Sequence, residues 1–163
     1  MMQNPAIKPA AAPVRSGKFY RAPLATADGV ALLIEQPIRT VYDRADGGDQ
    51  SGVGYQWVWN VAANPAGKIR NLRFWRVEIG DPKAVARMSL DEVIAEILPP
   101  GRREFPAGTV CQFLQLRAPT LALLRGELDG EIRRNSGFFP RAGLVKFFTA
   151  RWLGAPAKPE ATR

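Results

Sequence analysis

The apolar residues of this chain come in short runs, and the longest uninterrupted run covers only residues 30–34. A membrane-spanning helix needs about 20 consecutive apolar residues. Runs this short instead suit the short strands and helices of one water-soluble domain, for which 163 residues are sufficient. We therefore expect a cytoplasmic protein with no membrane span.

The two ends of the chain differ in composition from the middle. Residues 1–16 and 154–163 are rich in Pro and Ala with scattered charges, and neither contains an apolar stretch typical of a signal sequence. The sequence predicts a disordered tail at each end and a single domain over residues 17–153. We find no internal repeat in it.

The first half of this domain has the patterns of β-strands. Residues 19–24 and 30–35 flank an Asp-Gly turn signal and predict a hairpin, and residues 38–42 predict a third strand. Residues 55–61 and 72–79 alternate between two faces and predict an antiparallel pair.

After residue 79 the apolar period changes to that of helices. Ser89 and Glu92 have the spacing of a capping box, so residues 89–98 predict a helix. Residues 109–117 predict a strand and 130–140 a loop, and further helices are expected at 119–128 and 141–153. Strands followed by helices favour an α+β fold, with one antiparallel sheet of five to six strands and two to three helices on one side.

The composition excludes several kinds of chemistry. The chain has no histidine, which removes the usual activated Ser or Cys nucleophile and the imidazole metal ligand. Its single thiol, Cys111, forms neither an internal disulfide nor a zinc cage, and its apolar neighbours predict a buried side chain. We expect no cofactor and no metal, and no phosphate-binding fingerprint or clear helix-turn-helix signature is present.

Acidic and aromatic clusters each have a structural explanation and a functional one. Asp43, Asp46 and Asp49 could bind a metal through oxygen ligands, with Glu78 as a fourth, but their spacing favours a solvated turn. The aromatic residues could stack nucleic-acid bases, but a domain of this size needs them in its core. They are Tyr55, Trp57, Trp59, Phe74 and Trp75.

The chain is basic, with a formal net charge of +8, and 17 of its 23 cationic residues are Arg. Residues 1–99 carry a net +2 and residues 100–163 a net +6, so a surface for an anionic partner is expected in the C-terminal third. Paired Arg near paired Phe is typical of binding hot spots, and the alternative is a solvated loop whose Phe pair packs into the core. The candidate binding residues are Arg102, Arg103, Arg133, Arg134, Phe138, Phe139 and Arg141.

Several segments in order resemble the plasmid fertility-inhibition factors over about residues 17–152. The segments are Gly17-Lys18-Phe19-Tyr20, Glu35-Gln36-Pro37-Ile38-Arg39-Thr40-Val41-Tyr42, Trp57-Val58-Trp59-Asn60, Phe74-Trp75-Arg76-Val77, Phe147-Phe148 and Arg151-Trp152. The resemblance implies a small bacterial cytoplasmic protein by which one plasmid blocks the conjugative transfer of another. Some fertility inhibitors resemble ParB and sulfiredoxin domains, but Gly101-Arg102-Arg103-Glu104 does not match their site motif, so nuclease or ATPase activity is not implied.

Three hypotheses follow from the sequence. The first is a non-enzymatic inhibitor of conjugation that binds an acidic protein, such as a coupling or transfer component. The second is a nucleic-acid-binding module, for which we expect weak and non-specific binding. The third is a metal-dependent nuclease that uses the acidic cluster.

Overall fold

The computed structural model describes residues 22–154, so the predicted tails and the strand at 19–24 lie largely outside the described residues. This part of the chain is α+β, as predicted, with eight helices. Its strands form two three-stranded antiparallel sheets, so the prediction of one sheet with five to six strands is wrong. No helix within residues 22–154 is long and apolar enough to cross a membrane.

The first unit of the fold runs from a short strand to a short helix. It contains β1 Leu24–Thr26, α1 Ala27–Ile34, α2 Ile38–Ala45, β2 Val58–Asn60, β3 Leu72–Trp75 and α3 Arg76–Gly80. The side chain of Thr26 accepts a hydrogen bond from the N–H of Gly29 (3.1 Å) and starts α1. Strand β3 lies between β1 and β2, which gives the sheet order β1-β3-β2.

Two helices, α4 Pro82–Val85 and α5 Leu90–Ile97, connect the first unit to the second. Ser89 and Glu92 form the predicted capping box, which confirms the helix expected there. The second unit contains β4 Glu104–Pro106, α6 Ala107–Leu114, α7 Ala118–Leu123, β5 Glu131–Arg133, β6 Ser136–Pro140 and α8 Arg141–Arg151. Its sheet has the order β4-β6-β5, which corresponds to that of the first unit.

The two units repeat the same backbone path. Strand β4 begins 80 residues after β1, and α6 and α7 begin 80 residues after α1 and α2. Glu35 and Gln115 end the first helix of each unit in the left-handed conformation, with φ of 56° and 54°. The next N–H then donates to the carbonyl five residues earlier, in 36→31 at 3.1 Å and in 116→111 at 3.0 Å.

This repeat shows that the expectation of a chain without an internal repeat is wrong. Among the 22 positions from β1 to the end of α2, only three are identical in the second unit, namely Ala27 and Ala107, Val30 and Val110, and Thr40 and Thr120. Similar hydrogen bonds close both sheets, because Arg76 N–H donates to the carbonyl of Pro23 (3.0 Å) as Arg141 N–H donates to that of Arg103 (2.7 Å). The repeat therefore lies in the backbone and its hydrogen bonds and not in the side chains.

Buried charged residues join the two units. Arg73 of β3 donates through Nε to the carbonyl of Leu114 (2.7 Å) and through Nη2 to that of Gln115 (2.7 Å), where α6 ends. Carbonyls at a helix C-terminus lack partners within the helix, so this guanidinium caps α6 from the other unit. Arg151 of α8 donates in the opposite direction, to the carbonyls of Asn60 and Ala62 in the first unit.

Several predicted strands are helical in the structure. Residues 30–34 lie in α1, residues 38–42 in α2 and most of residues 109–117 in α6. Five-residue apolar runs fit a strand and a buried helix equally well, and β-branched residues at helix starts gave the wrong preference. The predicted antiparallel pairing in the middle is confirmed over fewer residues, with Val58 opposite Phe74 in the β2 and β3 pair.

Two further differences concern the C-terminal part. Residues 130–140 form the β5 and β6 hairpin, so the prediction of a loop there is wrong. The expected helix after residue 140 is confirmed as α8, and the one expected after 118 is the shorter α7. The sequence did not predict this hairpin because its turn lacks the usual Asn-Gly or Asp-Gly pair.

Candidate functional site

The second sheet places the two Arg pairs of the sequence prediction at the two ends of its central strand, β6. Arg102 and Arg103 precede β4, while Arg133 and Arg134 lie at the end of β5 and in the turn that follows it. Because Glu104 pairs with Pro140 and Arg133 with Ser136, the first pair lies beside the end of β6 and the second beside its beginning. We call the surface along β6 between them the hairpin face and define it by Arg102, Arg103, Arg133, Arg134 and Phe138.

Arg133 is held by contacts with three neighbours. Its Nη2 donates to Oε1 of Glu104 (2.7 Å), and its Nε lies 3.3 Å from Oε2 of Glu131. Its guanidinium also lies 4.2 Å from the ring centroid of Phe138. These side chains are about half exposed, which keeps the ion pairs weak but orders the guanidinium.

The two Phe residues of the prediction have different positions. Phe139 is 2% exposed and belongs to the core, and a Cβ on Gly130 would come within 2.5 Å of its ring. Phe138 remains half-buried, with Arg133 over its face. Paired Phe residues therefore do not form an exposed apolar centre on this surface.

The tip of the hairpin has an unusual backbone for its sequence. Arg134 and Asn135 connect β5 to β6 in a two-residue turn, with φ of 52° and 67°. A turn of this kind requires positive φ at both positions, which Asn tolerates and Arg rarely adopts. Among the described residues, the exposed Arg134 side chain has no hydrogen-bond or ion-pair partner.

A shallow groove of about 570 Å³ lies beside the hairpin face and includes Arg103, Arg141 and Lys146 in its lining. Arg141, also a predicted site residue, donates to the carbonyl of Pro99 (2.6 Å). Lys146 pairs with Asp129 at 2.9 Å. Arg103 has no side-chain partner among the described residues, so it can contact a ligand without breaking an existing bond.

The acidic cluster of the sequence has structural partners. Asp49 accepts hydrogen bonds from Ser51 and Arg44, which hold the pKa of its carboxyl well below the ordinary range. Asp46 pairs with Arg70 at 2.8 Å. Within residues 22–154, no group of three or more acidic or thiol side chains is arranged to hold a metal ion.

Glu78 also has a structural environment. Its two carboxylate oxygens accept the N–H groups of Gln56 (2.8 Å) and Trp57 (2.9 Å), just before β2. Its side chain is buried, and this desolvation raises the pKa of Glu78.

The aromatic residues have the core positions that were favoured, whereas Cys111 is half-buried and not buried as predicted. Trp57, Trp59, Phe74 and Trp75 are at most 3% exposed and belong to the core, with Tyr55 at its edge. Cys111 packs half-buried on α6, and burial raises the pKa of its thiol. The aromatic residues therefore form no exposed platform for stacking bases.

Sequence reasoning missed that each unit contains two helices joined by a three-residue turn. These are α1 and α2 with the turn 35–37, and α6 and α7 with the turn 115–117. A strand before the two helices and an antiparallel pair of strands after them complete each unit, so both contain a helix-turn-helix. The sequence signal was the three identical residues at a spacing of 80, which are too few to notice without the structure.

The two units also differ strongly in charge. Residues 22–99 contain eight cationic and ten anionic side chains, for a net charge of −2. Residues 100–154 contain nine cationic and four anionic ones, for a net charge of +5. The positive surface of the described chain therefore belongs to the second unit.

Comparison of the chain with protein-family models, curated proteins and solved structures gives no match.

Proposed function

We propose that this protein is a non-enzymatic binding protein that inhibits conjugative plasmid transfer, and that it acts through the hairpin face. The observation that carries the binding surface is the arrangement of the second sheet, whose central strand β6 has Arg102 and Arg103 beside its last residue and Arg133 and Arg134 beside its first. The role in conjugation rests on the resemblance to the plasmid fertility-inhibition factors. In this role the protein acts in the bacterial cytoplasm.

The partner of this face is an anionic component of the transfer machinery. Arg presents a planar group with five N–H donors, which suits carboxylates and phosphates better than the point charge of Lys does. Arg103 and Arg134 are free to donate, because no described residue occupies their side chains. The sequence led us to expect an acidic protein as this partner.

Binding without catalysis is the simplest mechanism for these residues. Asp46 and Asp49 are engaged by Arg70 and Arg44, which leaves Asp43 as the carboxylate of the acidic cluster without an ion pair to a described residue. We expect purified protein neither to cut DNA with Mg²⁺ or Mn²⁺ nor to hydrolyse ATP. Metal-dependent cleavage that disappears in D43N/D46N/D49N would replace this proposal with the nuclease hypothesis.

The experiment that tests the surface is a mating assay with R103Q/R134N, in which Arg134 is replaced by Asn. Asn adopts the positive φ of this turn more readily than Arg, so the hairpin is retained while the exposed charge is lost. Arg133 is a poorer choice, since its replacement also breaks the contact with Glu104. We expect R103Q/R134N to lose inhibition of plasmid transfer.

The control is Arg87→Gln, which removes an exposed charge outside the second unit. It should inhibit transfer as wild type does, and thermal unfolding should show that both variants fold. A folded R103Q/R134N variant that still inhibits fully would show that the hairpin face is not the working surface.

A further inference from the structure

We propose that the partner of the hairpin face is duplex DNA, bound by the second unit through its phosphates and without sequence preference. This inference rests on the proposed function, because it names the partner of the same surface.

The hairpin face belongs to a helix-turn-helix unit. In such units the second helix lies in the major groove and neighbouring segments contact the DNA backbone. Here α7 is the second helix, and the β5 and β6 hairpin follows it in the chain. The fold alone does not decide function, so the argument depends on the side chains that this unit exposes.

Charge separates the two units as DNA-binding surfaces. The second unit lies in the part of the chain with net charge +5, and its Arg103, Arg117 and Arg134 side chains have no partner among the described residues. In the first unit, Arg44 and Arg70 are neutralised by Asp49 and Asp46, and the exposed Arg39 of α2 lies in a part of the chain with net charge −2. Phosphate contacts dominate DNA affinity, so the second unit is the one expected to bind.

The shortage of exposed apolar side chains on the hairpin favours DNA over an acidic protein as its partner. Protein interfaces have a desolvated apolar centre, whereas protein–DNA interfaces are polar, cationic and hydrated. Phe139 is buried in the core and the ring of Phe138 lies under the guanidinium of Arg133. The hairpin has one well-exposed apolar residue, Ile132 at 53%, so most of its surface is suited to phosphates and water.

The hairpin tip provides a second independent feature. Arg134 occupies a left-handed position that Asn or Gly adopts at lower cost. Such strained positions often occur where a side chain has a function. A hairpin tip with a two-residue turn and one exposed Arg is narrow enough to enter a DNA groove, where the negative potential attracts guanidinium groups.

Sequence-independent binding follows from the composition of α7. Among residues 118–123, Thr120 is the only one with a polar side chain, and it is half-buried. Direct recognition of bases requires groups such as Arg, Asn or Gln that make two hydrogen bonds to a base edge. The helix that would lie in the major groove contains none of these groups.

Fluorescence anisotropy with a short labelled duplex of arbitrary sequence tests this proposal, with the full chain titrated over a series of salt concentrations. We expect the logarithm of the association constant to fall linearly with the logarithm of the salt concentration, by about 0.9 for each phosphate contacted. Arg134→Asn should bind more weakly and make this slope shallower by about 0.9, and R103Q/R134N by about twice as much. Arg87→Gln should bind as wild type does, and a duplex of unrelated sequence should bind equally well.

The outcomes distinguish this inference from the proposed function. Absence of duplex binding at low salt, with R103Q/R134N still losing transfer inhibition, would overturn DNA as the partner, keep the hairpin face and favour an acidic protein. DNA binding that is equal in all variants would overturn the assignment to this face. Strong preference for one DNA sequence would contradict the inference that α7 recognises no bases. Absence of duplex binding together with full inhibition by R103Q/R134N would overturn both proposals.

Discussion

The first unit and the second unit share one order of strands and helices, yet the chain around them carries net charges of −2 and +5. Their buried positions also differ. Ala25 and Phe105 are equivalent and both fully buried, while Leu33 is 51% exposed and its equivalent, Phe113, is 2% exposed. The rings of Phe105 and Phe113 meet edge to face at 5.3 Å, a contact that the methyl group of Ala25 is too small to provide.

This comparison teaches that the backbone of a helix-turn-helix is compatible with very different surfaces and cores. The three-residue turn, the left-handed residue before it and the hydrogen bond that closes it recur in both units. The charge and the aromatic packing do not recur, and the difference in charge is the reason for proposing that the second unit binds the partner.

The largest expected effect concerns the equivalent positions Leu33 and Phe113. Phe113→Ala removes a buried ring and its contact with Phe105, so it should lower the free energy of unfolding by about 3 to 5 kcal/mol. Leu33→Ala should cost less than about 1 kcal/mol, because half of that side chain is already in water. Urea unfolding measures both values, and equal costs would contradict the difference in packing.

A second prediction tests the connection between the units. Arg73→Met removes the donors to the carbonyls of Leu114 and Gln115, each of which costs about 1 to 3 kcal/mol when left unpaired. Burial lowers the pKa of Arg73 to about 10, so its guanidinium is charged at neutral pH and makes these bonds.

The matched control for this variant is Arg70→Met. Arg70 lies near Arg73 in the chain but forms an exposed pair with Asp46, so its loss should cost less than about 1 kcal/mol. If unfolding of Arg73→Met separates into two transitions, the guanidinium also makes the two units unfold together. If both variants cost the same, the capping of α6 contributes no stability.

A third and smaller effect concerns pH and belongs to the first unit. Burial raises the pKa of Glu78, so the folded protein retains this proton at a pH where the unfolded chain has lost it. The free energy of unfolding of wild type should therefore fall, relative to Glu78→Gln, as pH rises from about the ordinary value of 4.5. Denaturant titrations of both proteins at several pH values measure this difference, and an opposite slope would refute the desolvation argument.

The smallest effect tests whether the repeat is equally strained in both units. Glu35→Gly and Gln115→Gly each relieve a left-handed backbone at the end of a helix, and each should raise stability by about 0.5 kcal/mol. Glu96→Gly, inside α5, should instead lower stability by about 0.5 to 1 kcal/mol. If one of these two substitutions raises the free energy of unfolding and the other lowers it, the two turns are not equivalent.

Part of the candidate site could be predicted from the sequence. Arg102, Arg103, Arg133 and Arg134 were recognisable as a basic set, because charge and clustering are properties of the residues themselves. Their positions at the two ends of β6 were not, since these follow only from the pairing of the strands. The sequence also could not assign Phe139 to the core and Phe138 to the surface, which depends on how β6 packs.

The sequence by itself determined the α+β class, the capped helix α5 and the basic character of the C-terminal third, all of which depend on local pattern or composition. Only the tertiary structure decided that residues 30–34 and 109–114 are helical and that the two halves have the same backbone. Short apolar runs are stable as strands or helices according to the surface that buries them, and the repeat is maintained by backbone hydrogen bonds that three identical residues in 22 do not reveal.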